Sequence, residues 1–523
     1  MRHEKAMWPI IYVRGYAMTE GEIEATTADP FCGFNLGSTV YRATPDKNAP
    51  PRKFIFESPV VRLGADHGYS CVFDAGADLF DPDWTKTWIP PQSIVIYRYY
   101  DEASRLLGVG ETPPIEKFAE GLGTLILRVR DLVCAHPELG IAAKDFRCYL
   151  VAHSMGGLVC RAFLQNPKLA DPEAKKCVDK VFTYASPHNG IEMLGVNVPS
   201  WLTANDVANF SRKRMAEYLA LKARERVDER VDWIPEDAFP SERFFCMIGT
   251  NRADYEAGFG LSRTFAGHGS DGLVRVANAS VWGVDSKGKL SAPCATAYAY
   301  RSHSGYFGIV NSEEAYQNLV RFLFGDVRVD MWLDIAEVRL PDEVERELSK
   351  GRKVEALYQF EVLASPRGKR WYLTRRVAEE DSPACRTLQQ LRGGAEDRRI
   401  YLSTVFLSRK ARVNPSRPSL AYAITVGVRV PDYEVEGRFW SSQHYEGGYL
   451  FRDTVIVELT PPKTGDGAWK VTHAWESTLG VEKNVPLAPK SLDEGIELGI
   501  DFDAPGAPGI AGRLRLLARP WNN

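Results

Sequence analysis

The sequence lacks the marks of a secreted, membrane-spanning or nucleic-acid-binding chain. Its 523 residues carry only nine cysteines, with no CxxC pair and no regular spacing. An odd, scattered set of this kind reads as reduced thiols rather than a disulfide framework. No stretch approaches the roughly 18 consecutive apolar residues that a membrane span needs. The first residues, Met-Arg-His-Glu-Lys-Ala-Met-Trp-Pro, have no apolar core of a signal peptide. The expected location is cytoplasmic, with signal-independent export left open. No excess of positive charge is present either: the net charge is −3, so no nucleic-acid partner is expected. Carboxylates at metal-ligand spacing are missing too. Asp74, Asp78, Asp81 and Asp83 crowd together without the EF-hand pattern, and read as a solvated acidic rim.

What remains is a globular chain, 44% hydrophobic and 25% charged, too long for a single core. Its organising stretch runs from Phe146 to Leu164. Residues 147–151 read as a short buried strand and 155–164 as a helix. Between them the chain must turn within Ala152-His153-Ser154-Met155-Gly156. A strand, a sharp turn carrying serine and a helix make a nucleophile elbow. Small residues let strand and helix crowd together there, and the hydroxyl is pushed above the sheet beside the helix N-terminus. Free N–H groups at that end favour a developing negative charge.

Around this stretch, strands and helices alternate. Apolar runs predict strands at 10–13, 93–99, 181–184, 242–249 and 293–300, with another at 54–56. Helical spacing of Phe118, Leu122, Leu125, Ile126, Val129 and Val133 predicts a helix over 115–134, and a second is expected over 313–324. Such alternation predicts a mostly parallel central sheet with helices on both faces. Residues 191–241 read as a cap insertion over the site, with an amphipathic helical stretch over 207–230 whose plain alternative is a surface helix packing by one face. The turn Arg14-Gly15-Tyr16 follows the first strand. Ser186-Pro187-His188-Asn189-Gly190 stops the strand after the serine. Ser270-Asp271-Gly272-Leu273-Val274 follows a later strand, and His303 lies in a loop after the last one. Each has a plain alternative: a βα turn, a structural histidine, a Ser-Asp-Gly turn, an exposed loop histidine.

Taken in order, Ser154, Asp271 and His303 give the Ser…Asp…His sequence of one hydrolase class. Several bacterial lipases carry Ala-His-Ser-Met-Gly at the elbow, and near-identical Ser/Thr-Pro-His-x-Gly and Ser-Asp-Gly-Leu-Val segments. The chain therefore resembles the α/β-hydrolase superfamily, bacterial lipase/esterase branch, over residues 8–325. The resemblance implies a nucleophile, Ser154, a base, His303, and an acid, Asp271, with Asp254 in reserve. It implies an oxyanion hole from the Tyr16 and Met155 N–H groups. It makes His188 structural, and calls for no metal and no organic cofactor. Ala152 departs from the usual first glycine, and Arg14 from the usual histidine. The implied substrate is a lipid or other acyl ester, cleaved in the manner of a lipase or phospholipase A. An acyltransferase on the same three residues, or a catalytically silent fold acting as a binding module, are the alternatives.

From Gly325 to Asp330 the pattern changes, and a boundary between residues 326 and 327 is expected. β-like runs at 354–364, 371–376, 400–407, 421–430, 454–459 and 469–474 predict a C-terminal antiparallel β-sandwich. Ser365-Pro366-Arg367-Gly368-Lys369 signals a hairpin. The aromatic and glycine-rich stretch 438–451 reads as strand-turn-strand core, with a lipid- or partner-facing loop as the alternative. Some lipases carry a C-terminal sandwich that binds membranes or a partner. By that resemblance a peripheral membrane contact is expected, with no protein partner specified.

Overall fold

The computed structural model describes residues 7–15, 38–42, 52–56, 59–72, 79–97, 99, 114–191, 209–221, 230–253, 269–304, 308–412, 414, 416–436, 443–460, 468–478 and 485–522. Tyr16, Asp74, Asp78, Asp254 and residues 438–442 lie outside them. The chain divides into two compact units, Met1–Thr296 with Arg301–Leu319, and Ala297–Tyr300 with Val320–Asn523.

In the first unit the strands are β1 (Ile10–Val13), a separate hairpin of β2 (Ser38–Arg42) and β3 (Arg52–Phe56), β4 (Ser70–Cys71) and β5 (Ser93–Tyr97). They continue with β6 (Cys148–His153), β7 (Val178–Tyr184), β8 (Trp233–Pro235), β9 (Phe244–Gly249), β10 (Trp282–Val284), β11 (Leu290–Pro293) and β12 (Ala295–Ala299), whose last three residues are assigned to the second unit. The helices are α1 (Pro59–His67), α2 (Ile115–Cys134), α3 (Met155–Gln165), α4 (Pro172–Lys176), α5 (Arg212–Tyr218) and α6 (Glu313–Phe324), whose residues from Val320 on are assigned to the second unit.

Seven of the described strands form one sheet in the order β12-β9-β7-β6-β1-β5-β4. β1 pairs in parallel with both β5 and β6, and β6, β7 and β9 pair in parallel in turn. Ile10, Ile11, Val13, Leu150, Val151 and Ala152 are wholly buried, as strands covered on both faces require. The chain leaves β1 for β4 and β5 on one side, then returns to β6 on the other. That reversal is a topological switch point, where open α/β sheets hold their sites at the carboxyl ends of strands. Ser154 directly follows β6, and Gly15 follows β1 by two residues. α3 packs on β1, β6 and β7 and against α2. All eleven of its residues are buried, so it has no solvent face.

Between β7 and β9 lie α5 and β8. The helix expected over 207–230 is seen only as Arg212–Tyr218, capped by the Ser211 hydroxyl, which accepts from Arg214 N–H. Residues 207, 208 and 222–229 lie outside the described set.

The second unit contains β13 (Val327–Arg339), β14 (Val354–Pro366), β15 (Thr374–Arg376), β16 (Ala384–Thr387), β17 (Arg399–Leu407) and β18 (Leu420–Val435). β19 (Gln443–Thr460), β20 (Lys470–Trp475), β21 (Val485–Pro486), β22 (Lys490–Leu492), β23 (Gly495–Ala504) and β24 (Gly509–Pro520) follow, with short helices at Asp342–Ser349 and Leu388–Leu391. One sheet runs β17-β13-β24-β23-β22, the other β15-β14-β18-β19-β20-β21 with β16 beside β14. The pairings reported in both are antiparallel. Inward residues alternate along β18 (Leu420, Tyr422, Ile424, Val426) and join Val329, Leu498 and Leu516 of the other sheet in one core. Among the described residues no helix is long and apolar enough to cross a membrane.

Candidate active site

The serine turn is strained. Ser154 has φ 53° and ψ −125°, a region L-residues avoid and that clusters at functional sites. The turn is held there by its surroundings. Ser154 N–H donates to Tyr184 O at 2.9 Å, and Gly157 N–H to Ser154 O at 3.1 Å. A Cβ on Gly156 would stand 2.1 Å from Val13 O, so the start of α3 can close onto β1 only with glycine there. A Cβ on Gly15 would stand 2.4 Å from Ser154 Cβ and 3.1 Å from its Oγ. The turn after β1 thus passes directly against the serine. Ala152, at the pattern's usual glycine position, is fully buried, and the turn forms with its methyl in place.

The structure brings Ser154, His303 and Asp271 together from three separate segments. His303 Nε2 lies 2.9 Å from Ser154 Oγ, and His303 Nδ1 lies 2.9 Å from Asp271 Oδ2. A carboxylate accepts, so Nδ1 carries the proton and Nε2 is left to accept from the serine hydroxyl. The other oxygen, Asp271 Oδ1, accepts from Leu273 N–H at 3.0 Å and Val274 N–H at 2.7 Å. The Ser-Asp-Gly turn expected from sequence therefore also orients the carboxylate. His303 N–H donates to Asp271 O at 3.0 Å. All three residues are buried.

Met155 N–H is the first amide of α3, and helix geometry gives it no acceptor within the helix. The second expected donor, Tyr16, and the reserve acid, Asp254, lie outside the described residues. His188 is not part of the cluster. Thr183 donates its hydroxyl to Phe245 O, so its oxygen accepts from His188 Nε2 at 3.1 Å. Burial, with Arg161 nearby, pushes the His188 ring well below the ordinary histidine value. Asp81 and Asp83 of the acidic rim are exposed.

Two side chains that the motif reading passed over are built into the site. His153, beside the nucleophile, places Nε2 2.8 Å from His303 O. Burial first, then His303 and Arg14, hold its ring well below the ordinary value. Arg161, near the middle of α3, is wholly buried. Its guanidinium donates to Gln165 Oε1, His188 O, Val231 O and Trp233 O, each at 2.8 Å. Burial lowers it to about 10. A charge within a helix that, Gln165 apart, holds only apolar and small residues was the available signal for Arg161.

The parallel sheet, its switch point and the strained serine turn define an α/β-hydrolase fold, followed by a β-rich C-terminal unit. No family model and no curated protein sequence matches the chain. Among solved structures it is similar to a Bacillus licheniformis lipase in mature form, at 14% identity and TM-score 0.30, over 62% of this chain and 95% of that one. It is also similar to the phospholipase PlaB of Legionella pneumophila, at 13% identity and TM-score 0.30, over 84% of this chain and 90% of that one.

Proposed function

We propose that the protein is a serine hydrolase that cleaves carboxylic esters of lipids, in the manner of a lipase or phospholipase A. The observation that carries the reading is the hydrogen-bonded line Ser154–His303–Asp271 at a strained turn. A serine hydroxyl is a weak nucleophile near neutral pH. His303 Nε2 takes its proton as Oγ bonds to the acyl carbon. Asp271 holds the Nδ1–H tautomer and stabilises the imidazolium. The carbonyl oxygen becomes an oxyanion, held by Met155 N–H and, by resemblance, Tyr16 N–H. Collapse breaks the ester C–O bond, and His303 returns the proton to the leaving alkoxide. Water, deprotonated by the same imidazole, then releases the acid and restores the serine.

The lipid assignment rests on the resemblance of the Ser-Pro-His-Asn-Gly and Ser-Asp-Gly-Leu-Val runs to lipase segments. The test is hydrolysis of p-nitrophenyl esters of short and long acyl chains and of phospholipid vesicles, wild type beside Ser154→Ala. Turnover that favours long chains and falls at least about 10³-fold in the variant is expected. Equal turnover by both proteins would sink the serine reading. A short-chain preference would reduce it to a simple esterase.

A further inference from the structure

Among the described residues, the side chain before the nucleophile makes a hydrogen bond to the base. His153 ends β6, and its Nε2 lies 2.8 Å from the His303 carbonyl oxygen. A carbonyl can only accept, so Nε2 carries the proton and the ring is the donor. The backbone of His303 is therefore held on both sides: its N–H by Asp271 O at 3.0 Å, its C=O by His153. We propose that His153 is a positioning residue that fixes the His303 imidazole between Ser154 and Asp271. The inference rests on the serine-hydrolase reading.

The chemistry of the contact explains why an imidazole suits the position. His303 becomes a cation in every cycle, and the two rings are 4.9 Å apart between centroids. A lysine or arginine there would offer a donor but set a second positive charge against the imidazolium. Arg14 already bears on His153 from the turn after β1. A neutral imidazole donates without adding charge, and burial keeps it neutral. The link also joins two elements that must stay in register. Ser154 and His153 are consecutive, so the strand that delivers the nucleophile also anchors the loop that delivers the base. A misplacement of about 1 Å in such a site costs roughly 10²-fold in rate.

The test compares wild type, Ser154→Ala, His153→Met and His153→Gln by kcat and KM on a p-nitrophenyl ester, fluorophosphonate labelling rate and Tm. Methionine keeps the bulk and removes the donor, whereas glutamine keeps an N–H donor. His153→Met is expected to lose about 10- to 100-fold in kcat and labelling rate, with KM and Tm held. His153→Gln is expected to recover most of that loss. Wild-type kcat in His153→Met, or equal losses in both variants, would overturn the proposal. Should His153→Met fail to fold, His153→Gln decides: a kcat within about tenfold of wild type sustains the positioning role, and a larger loss at unchanged Tm overturns it. An active wild type with unmoved variants sinks this inference alone. A well-folded wild type that neither turns over nor labels sinks the hydrolase reading and this inference with it.

Discussion

At the residue scale, Ser154 carries two demands that oppose each other. Its backbone at φ 53° and ψ −125° costs on the order of 1–3 kcal/mol relative to a relaxed residue. The same conformation aims Oγ at His303. Glycine reaches such angles without a Cβ penalty. Ser154→Gly is therefore expected to stabilise the fold by about 1 kcal/mol while abolishing the proposed ester cleavage, the exchange seen where sites hold strain. Urea unfolding followed by near-UV circular dichroism checks this. A destabilised Ser154→Gly protein would mean that the hydrogen bond to His303 outweighs the backbone strain.

At the element scale, α3 does more than end the elbow. Its buried Arg161 ties three carbonyls to the helix: His188 O in the turn after β7, and Val231 O and Trp233 O where the chain returns to β8. Arg161→Met would leave those carbonyls and Gln165 Oε1 without their charged donor. The expected loss is about 3 kcal/mol, read as a lower urea midpoint. Arg161→Lys should recover little, because one ammonium cannot span four acceptors set in different directions. Recovery by lysine would show that charge, not the planar fork, is what the site needs. This contact was not legible in the sequence, since no local pattern marks a side chain that bonds to residues 27 to 72 positions away. What was legible had a local cause. The 3.6-residue spacing in Ile115–Cys134 and the apolar runs at β1, β6 and β7 reproduce the elements to within a few residues. β19 runs from Gln443, well before the apolar run at 454–459. Its earlier part carries Gly447, Gly448, Arg452 and Asp453, and is held by pairing with β18 rather than by its own composition. The line of Ser154, Asp271 and His303 was readable through motif order, whereas His153 needed coordinates, because its proposed role is a bond to a main-chain atom.

At the scale of the whole molecule, the proposed catalytic residues and the buried carboxylate Asp330 fall in different units. Ser154, Asp271 and His303 belong to the first compact unit. The second contains Asp330, a carboxylate only 4% exposed. It is gripped by Arg328 at 2.9 Å, Arg519 at 2.9 Å and the Thr404 hydroxyl. The register explains the cluster: on β13, Arg328 stands opposite Arg519 of β24, and Asp330 opposite Thr404 of β17. Burial alone would raise the Asp330 carboxyl. The Arg328 guanidinium, with help from Thr404 and Arg519, outweighs burial and holds it below the ordinary carboxylate value. A depressed folded-state value means that the unfolded chain binds the proton first as pH falls. The contribution to stability is therefore complete above the unfolded value of about 3.9 and is lost as pH drops through the folded one. A chain of two units need not unfold in one step, so the loss should appear in the transition that reports on the β-rich unit. Urea midpoints measured at pH 7 and pH 3 are expected to fall for wild type, and to fall less for Asp330→Asn, whose amide does not titrate. That variant should already be about 3–5 kcal/mol less stable at pH 7, because Arg328 is left buried beside a neutral partner. An identical drop from pH 7 to pH 3 in wild type and Asp330→Asn would mean that other carboxylates set the acid limit of this unit.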